Sequence, residues 1–352
     1  MVTLACAGFL CGSLQAATAY FQMNLASAIS ELAAHQNPWG MSFGPTSPFW
    51  VSNQGSNDST LYNAAGVPQP GGSPLIVTTL ASPRGQVFNF IPSFLLPGGT
   101  KAAFLFDTLS GHIAVWNGGS TAATEFSATD GAVSTGLAIG NNGTSDLLYA
   151  ADFNNGRIDV FDGTFAPTTV PGGFVDPSLP AGYMPYNIQA IGVNLYVEYA
   201  KADPITHRAA TTPNTGIVDV FNLNGVMQQR LATNTNLNSP WGVARAPSGF
   251  GSFSGDILVG NFGDGTISVF DPVTGFFLGK ISGQNGSPLV NSGLWALNFR
   301  ASGSGVDPNT LFLKAGINGE ADGLFAAIQM VPFAYDDARA RRDLPRLAKS
   351  AA

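Results

Sequence analysis

The chain has little charge and almost no cysteine. Only 11% of its 352 residues are Asp, Glu, Lys or Arg, against roughly 25% in an average soluble protein. Its net charge of −7 argues against a nucleic-acid partner, which requires a basic surface. Both cysteines lie within the first 19 residues, so the remainder of the chain can form neither a disulfide nor a thiolate site.

Those first residues, MVTLACAGFLCGSLQAATA, carry no charge and end in Ala17-Thr18-Ala19. An apolar run followed by an A-x-A sequence is typical of a secretory signal peptide. The run is too short to be a stable membrane span. We therefore expect a signal peptide over 1–19, a mature chain from about Tyr20 that is secreted or periplasmic, and a flexible tail over 334–352.

The common catalytic motifs are also missing from the sequence. It contains no G-x-S-x-G elbow, no H-E-x-x-H pair and no phosphate-binding glycine loop. Turn-forming residues are instead abundant, with 43 glycines and 23 prolines. Between the turns lie short runs rich in Val, Ile, Phe and Tyr, which suit strands. Composition therefore predicts an all-β chain of many short strands.

A unit of about 45 residues, the length of a propeller blade, recurs six times. Its clearest copy runs from Thr135 to Gly163, with the sequence TGLAIGNNGTSDLLYAADFNNGRIDVFDG. The alternation in RIDVF places Ile158 and Val160 on one face, which is the period of a strand. The Asn-Gly pair before it supplies the positive φ that a tight hairpin needs. Each copy thus predicts a run of antiparallel strands.

The tripeptide Pro-Trp-Gly occurs twice, at 38–40 and 240–242, and marks the start of the innermost strand in two copies. Pro is tolerated at the first residue of a strand, Trp can fill the wedge between blades, and Gly allows crowded strands to approach. This structural role is the main interpretation. Stacking of a ligand on Trp39 or Trp241 is the alternative.

Most copies add a fourth strand, but the sixth has none after Gln329. The chain instead begins with a spare strand, Tyr20 to Ala26. Pairing of that strand with the last blade would close a ring and remove its exposed edges. The sequence therefore predicts one six-bladed β-propeller over 20–333, closed by its N-terminal strand.

The segment LLYAADFNNGRIDVFD resembles an NHL repeat. The chain over about 20–333 also resembles a family of secreted bacterial proteins of unknown function with NHL-like six-bladed propellers. The shared features are NPWG with SPFWVS near the start and AGINGEADGLFA, from Ala315 to Ala326, near the end. The resemblance implies the fold but no established chemistry.

A polar residue stands near the end of the second strand in five copies: Asn53, Asp107, Asp152, Glu198 and Asn261. The sixth copy has Gly316 there and places its acids later, at Glu320 and Asp322. Oxygen ligands that converge on one axis suit Ca²⁺, and six-bladed lactonases resemble this plan. We name Asp107, Asp152, Glu198 and Asn261 as candidate metal ligands. The competing interpretation is that each side chain binds its own hairpin turn.

The three histidines map to the same predicted face of the ring, around the mouth of the central channel. One of them lies in a long insertion, Lys201 to Asn214, which exceeds the two to five residues a hairpin needs and which we expect to lie over that mouth. The candidate ligand-binding residues there are His35, Asn37, Trp39, His112, Tyr199, His207, Trp241, Glu320 and Asp322.

Two functions remain open at this point. The first is an exported binding or scaffold module for an envelope, glycan, peptide or small-molecule partner. The second is a calcium-dependent hydrolase or lyase, lactonase-like, with its site at the channel mouth. An enzyme needs an acid or base with a perturbed pKa, whereas a binding module needs only shape and aromatic surface.

Overall fold

The structure is a computed structural model that describes residues 18–27, 36–71, 74–301 and 305–331. Within those ranges it contains 24 strands in six four-stranded antiparallel sheets. The prediction of a six-bladed β-propeller is confirmed. Most of the expected signal peptide, the expected tail and His35 lie outside the described residues, so those predictions stay predictions.

The blades follow one another in chain order, each with four strands paired in sequence from the innermost to the outermost. The strands of blades one to three are β2 (Pro38–Ser42), β3 (Phe49–Asn53), β4 (Asp58–Tyr62), β5 (Ile76–Thr78), β6 (Pro83–Phe88), β7 (Phe104–Thr108), β8 (His112–Trp116), β9 (Ala123–Ser127), β10 (Ser134–Asn141), β11 (Asp146–Asp152), β12 (Arg157–Asp162) and β13 (Pro167–Thr168). Those of blades four and five are β14 (Tyr183–Ile191), β15 (Asn194–Lys201), β16 (Ile217–Asn222), β17 (Met227–Thr233), β18 (Pro240–Arg245), β19 (Ile257–Asn261), β20 (Ile267–Phe270) and β21 (Phe277–Lys280).

The sixth blade closes the ring with strands from both ends of the chain. It contains β22 (Leu294–Phe299), β23 (Leu311–Ala315), β24 (Leu324–Met330) and β1 (Tyr20–Ser27). Strand β1 pairs antiparallel with β24, from Tyr20 opposite Met330 to Ser27 opposite Leu324. The expected closure by the N-terminal strand is thus confirmed. One short 3₁₀ helix, Gly251–Phe253, is the sole helix of the described part, and none there is long and apolar enough to cross a bilayer.

Glycine allows the innermost strands to crowd around the axis. A Cβ added at Gly40 would collide with the carbonyl oxygen of Arg84 in the next blade, and one at Gly242 would collide with that of Trp295. The same holds for Gly85 against the backbone of Leu137. Pro-x-Gly therefore encodes close approach between adjacent blades, as the sequence predicts for Pro-Trp-Gly.

The hydrophobic core lies in the wedges between blades. Between blades one and two, Trp50 stacks on Phe104 with ring centroids 4.3 Å apart. Between blades three and four, Tyr149 meets Phe174 edge-on at 5.7 Å. Aromatic pairs of this kind bury large apolar areas, so the wedges hold the blades together without disulfides.

Candidate functional site

Each innermost strand carries a bulge near its start, where the pairing with the second strand shifts. At this level of each strand, the residue directly after the last pair before the shift has no partner in the second strand. The six residues at that level, from blade one to blade six, are Trp39, Arg84, Thr135, Tyr186, Trp241 and Trp295. The sequence analysis identified only the two tryptophans of the Pro-Trp-Gly motifs among them.

Together with the loops above them, four of these residues, Trp39, Arg84, Thr135 and Tyr186, line a cavity of about 280 Å³, which we call the mouth cavity. Its walls are Trp39, Arg84, Thr135, Phe153, Tyr186 and Phe262, and its rim includes Leu109, Val133, His207, Arg208, Ala209 and Glu320. The rim residues 207–209 come from the long insertion over 201–214, which therefore lies over the channel mouth. A concave, mostly apolar cavity with a few polar groups is the usual form of a ligand site.

The floor of the mouth cavity is an aromatic cluster. Trp39 stacks on Trp295 with centroids 3.4 Å apart, and Trp241 meets both rings edge-on. The Trp241 indole N–H donates to the carbonyl of Thr135 at 2.9 Å, which ties blade five to blade three across the axis. Below this cluster the space between the innermost strands is only about 10 Å³. The channel therefore narrows sharply below the mouth cavity.

Arg84 lies against this floor as an unpaired buried cation. Its guanidinium carbon is 3.2 Å from the centroid of the Trp39 ring, and the residue is only 9% exposed. Within the described ranges the guanidinium has no hydrogen bond and no ion pair, and its buried Nε lacks a partner. Burial lowers the pKa of Arg84 to about 9, so the group stays charged at neutral pH.

The carboxylate on the rim belongs to Glu320, which has a φ of 70°. The side-chain amide of Asn37 donates to Glu320 at 3.0 Å and to Gln54 at 2.9 Å. The Asn37 carbonyl oxygen in turn accepts from the indole of Trp295 at 3.0 Å. Both ends of the Asn37 side-chain amide are thus hydrogen-bonded, and Asn37 holds the Glu320 carboxylate beside the cavity.

Tyr186 closes the cavity opposite Trp39, with the two rings edge-on at 6.1 Å. Burial raises the pKa of the Tyr186 phenol, and the charge of Arg84 opposes that shift. The residue is 5% exposed, and its hydroxyl has no hydrogen bond to any described residue. It can therefore serve a ligand as a hydrogen-bond donor or acceptor.

Three of the polar residues at the second-strand ends bind their own hairpins. Asp152 accepts from the backbone and side-chain amides of Asn155 at 3.1 and 2.7 Å. Asn53 donates to Asp58 at 2.7 Å and to Thr60 at 2.9 Å. The side chain of Asn261 donates to Ser268 at 3.1 Å. These contacts match the turn-binding interpretation of the sequence pattern.

The other two of the five are acids that lack full partners. Asp107 accepts from the backbone N–H of Gly85 at 2.5 Å through one oxygen only, and burial raises its pKa to about 7. Glu198 is fully buried, neither of its oxygens has a hydrogen-bond partner among the described residues, and burial raises its pKa well above the usual range. Burial therefore favours the neutral form of Glu198 and brings the titration of Asp107 close to neutral pH.

The described residues contain no group of three or more His, Cys, Asp or Glu side chains that could hold a metal ion. Asp107, Asp152 and Glu198 accordingly do not converge as one carboxylate site. The side-chain oxygen of Asn261 accepts from the backbone N–H of Asn238 at 2.9 Å, and its amide group donates to Ser268. Calcium binding stays a prediction from the sequence.

The remaining candidates do not line the mouth cavity. His112 begins β8, and its Nδ1 is buried without a partner. Tyr199 packs in the core between blades three and four, and Trp241 belongs to the aromatic cluster of the floor without lining the cavity itself. Asp322 accepts from Asn318 within its own turn at 2.6 Å. The structure therefore brings Trp39, His207 and Glu320 to the cavity, with Asn37 bracing it.

Arg84 and Tyr186 are the functional candidates that the sequence analysis missed. Arg84 lies in Pro83-Arg84-Gly85, which has the Pro-x-Gly pattern of the two Pro-Trp-Gly motifs. Alignment on Pro and Gly rather than on Trp would have found it. Tyr186 follows Pro185 but precedes Asn187, so only the proline marks its position.

No protein-family model matches the chain, but curated relatives exist in a giant virus. The uncharacterized protein R648 of Acanthamoeba polyphaga mimivirus is 32% identical over 339 residues, covering 90% of this chain and 82% of that protein. The uncharacterized protein L690 of the same virus is 38% identical over 198 residues, covering 55% of this chain and 50% of that protein.

Solved structures with the same fold are far more distant in sequence. A protein of unknown function from Bacteroides thetaiotaomicron has a TM-score of 0.58 at 12% identity, covering 90% of this chain and 77% of that chain. Virginiamycin B lyase from Staphylococcus aureus has a TM-score of 0.52 at 13% identity, covering 89% of this chain and 99% of that chain. At these identities the likeness shows the propeller fold alone. Bacterial origin and secretion, which the first resemblance implies, stay predictions.

Proposed function

Since the chain belongs to the family of the mimivirus protein R648, whose function is uncharacterized, we propose a function from the site itself. We propose that this propeller is a binding module that takes a small molecule into the mouth cavity. The observation that carries this proposal is the cavity of about 280 Å³ above an aromatic floor. Its volume is near the lower end of the range for small-molecule sites, about 300–1,000 Å³.

The loop architecture supports a ligand at this end of the channel. The insertion over 201–214 is anchored by backbone hydrogen bonds, including Ala202 to Gly182 and Ala210 to Lys201, both at 2.8 Å. It places Ala209 over the aromatic floor. A long ordered loop over a concave surface commonly serves binding.

A cavity-filling variant tests the proposal. Ala209→Trp should occupy the space above Trp39, whereas Ala190→Trp fills the separate apolar depression at the opposite end of the channel. Thermal-shift screening of small neutral, cationic and anionic aromatic compounds, followed by titration of tryptophan fluorescence, should find ligands that Ala209→Trp excludes and Ala190→Trp still binds. If every ligand binds both variants equally, the mouth cavity is not the binding site.

A hydrolase or lyase is the second candidate, because His207 and Glu320 line the same cavity as Arg84. An imidazole or carboxylate base beside a cationic group could abstract a proton and stabilise the developing anion. Assay of a panel of aryl lactones with and without Ca²⁺ tests this candidate. Turnover that Glu320→Gln and His207→Gln abolish would support the enzyme, whereas binding without turnover would leave the binding module.

We also propose export of the mature chain, as the signal-like segment predicts. Cleavage after Ala19 would leave β1 intact, because that strand begins at Tyr20. It would remove Thr18, whose hydroxyl accepts from the backbone of Ser252 at 2.9 Å. Expression of the full sequence with N-terminal sequencing of the secreted product tests this, and an uncleaved product retained in the cell would contradict it.

A further inference from the structure

The structure contains two arginines that are both buried and stacked on aromatic rings. Arg300, in the loop after β22, lies over Phe43 and Phe49 at 5.0 and 5.1 Å, and its guanidinium donates to the carbonyls of Gly44 and Ser47. Arg84 lies closer to its ring but donates to no described residue. Of these two arginines, only Arg84 lines the mouth cavity.

A buried guanidinium without hydrogen bonds is expensive for a folded protein. The Nε of Arg84 is buried without a partner, and an unsatisfied buried donor costs about 1–3 kcal/mol. The Trp39 ring compensates only in part, since a cation–π contact contributes about 0.5–2 kcal/mol. The other guanidinium donors of Arg84 have no partner among the described residues and are available to a ligand in the cavity that the residue lines.

We propose that Arg84 and Trp39 form the recognition pair for a monoanionic ligand, an oxyanion carried on a flat aromatic or conjugated body. This inference rests on the proposed function and adds the chemical class of the ligand. The planar guanidinium fork matches a carboxylate or a phosphate oxygen pair in bidentate geometry. The aromatic surfaces of Tyr186, Phe153 and Phe262 form the remaining walls, and these suit a flat ring.

The charges around the cavity favour one negative charge over two. Arg84 and the exposed Arg208 are the lining arginines, and Glu320 is the lining carboxylate, which Asn37 fixes in place. With these three groups ionised the lining carries one net positive charge. A second negative charge on the ligand would face the Glu320 carboxylate at short range and would be repelled. A carboxylate should therefore bind better than a phosphate dianion.

Isothermal titration of the purified chain with four probes tests this inference. The probes are 2-naphthoate, the isosteric neutral 2-naphthamide, 2-naphthyl phosphate and inorganic phosphate. We expect 2-naphthoate to bind at least tenfold more tightly than 2-naphthamide, with 2-naphthyl phosphate weaker and inorganic phosphate weakest. Arg84→Met should remove the preference for naphthoate over the amide, and Arg84→Lys should restore part of it as a point charge.

Arg300→Lys is the matched control, because it alters a second buried, ring-stacked arginine outside the cavity. It should leave the naphthoate preference unchanged. Equal affinity of wild type for naphthoate and the amide, or a naphthoate preference that survives in Arg84→Met, would overturn the inference. If the amide binds as well as naphthoate and Ala209→Trp excludes both, the proposed function stands while this inference fails. If none of the four probes binds at millimolar concentration, both fail.

Discussion

Arg84 and Arg300 lie at opposite ends of the innermost strands, and their buried guanidinium groups differ in hydrogen bonding. Arg84 stands at the start of β6, at the channel mouth, and Arg300 follows the end of β22. Both are less than a tenth exposed and both stack on aromatic rings. Arg300 is hydrogen-bonded to two loop carbonyls, whereas Arg84 has no hydrogen-bond partner among the described residues.

The comparison teaches that stacking on a ring does not by itself identify a binding residue. A guanidinium that serves structure also uses N–H donors, as Arg300 does through Nη2 to hold the loop between β2 and β3, although its Nε lacks a partner as that of Arg84 does. A guanidinium that serves a ligand keeps its donors free at the expense of stability. Arg300 should therefore raise the free energy of unfolding, whereas Arg84 should lower it.

The largest effect is expected for Arg300→Met. The substitution removes charge-assisted hydrogen bonds and leaves the carbonyls of Gly44 and Ser47 without them, at a cost of about 2–3 kcal/mol. Urea denaturation should show this loss of unfolding free energy. A variant as stable as wild type would mean that water replaces the guanidinium at both carbonyls.

Arg84→Met should change stability in the other direction. Methionine has a similar length and keeps apolar contact with the Trp39 ring while it removes an unpaired buried charge. Replacement of buried charge by apolar groups is often stabilising, and we expect a gain of about 1–2 kcal/mol. The same urea titration measures it, and a loss comparable to that of Arg300→Met would show that Arg84 has a structural partner.

The pKa of Asp107 links the comparison to pH. Burial raises the pKa of Asp107 to about 7, and the charge of Arg84 opposes that shift. An acid whose pKa is higher in the folded state than in the unfolded chain stabilises the fold below the unfolded value, near 4. That contribution is lost as pH rises through 7. Asp107→Asn should therefore increase the unfolding free energy at pH 8, by on the order of 2 kcal/mol, and change it little at pH 4.

Asp152→Asn is the control for that experiment, since both carboxylate oxygens of Asp152 already bind its hairpin. It should destabilise the chain by about 1 kcal/mol at both pH values, because an amide nitrogen replaces one acceptor. A gain for Asp107→Asn that is equal at pH 4 and pH 8 would assign the effect to packing rather than to charge.

The smallest effect is expected from a chelator. The side chains of Asp152 and Asn261 bind their own turns, and no described acid cluster could hold a metal ion. EDTA should therefore shift the melting temperature by less than about 1 °C, which is below the effect of a site saturated at a hundred times its Kd. A larger fall that excess Ca²⁺ reverses would support the calcium prediction instead.

The sequence by itself determined the repeat, the number of blades and the closure. Period-two alternation, Asn-Gly turns and the spare strand at Tyr20 are local signals, and they encode strands and hairpins wherever the chain places them. The turn-binding role of Asp152 could also be predicted from the sequence, because its partner Asn155 lies three residues away in the same hairpin.

Only the tertiary structure decided which residues share the mouth cavity. Arg84 and Tyr186 come from blades two and four, and Glu320 comes from blade six. Ring closure brings together positions that are more than a hundred residues apart, and no period in the sequence records how far one blade's side chain lies from another's. Whether a buried Arg finds a carbonyl, as Arg300 does, or an open cavity, as Arg84 does, depends on the loops that surround it. That difference is spatial, and the proposed ligand site depends on it.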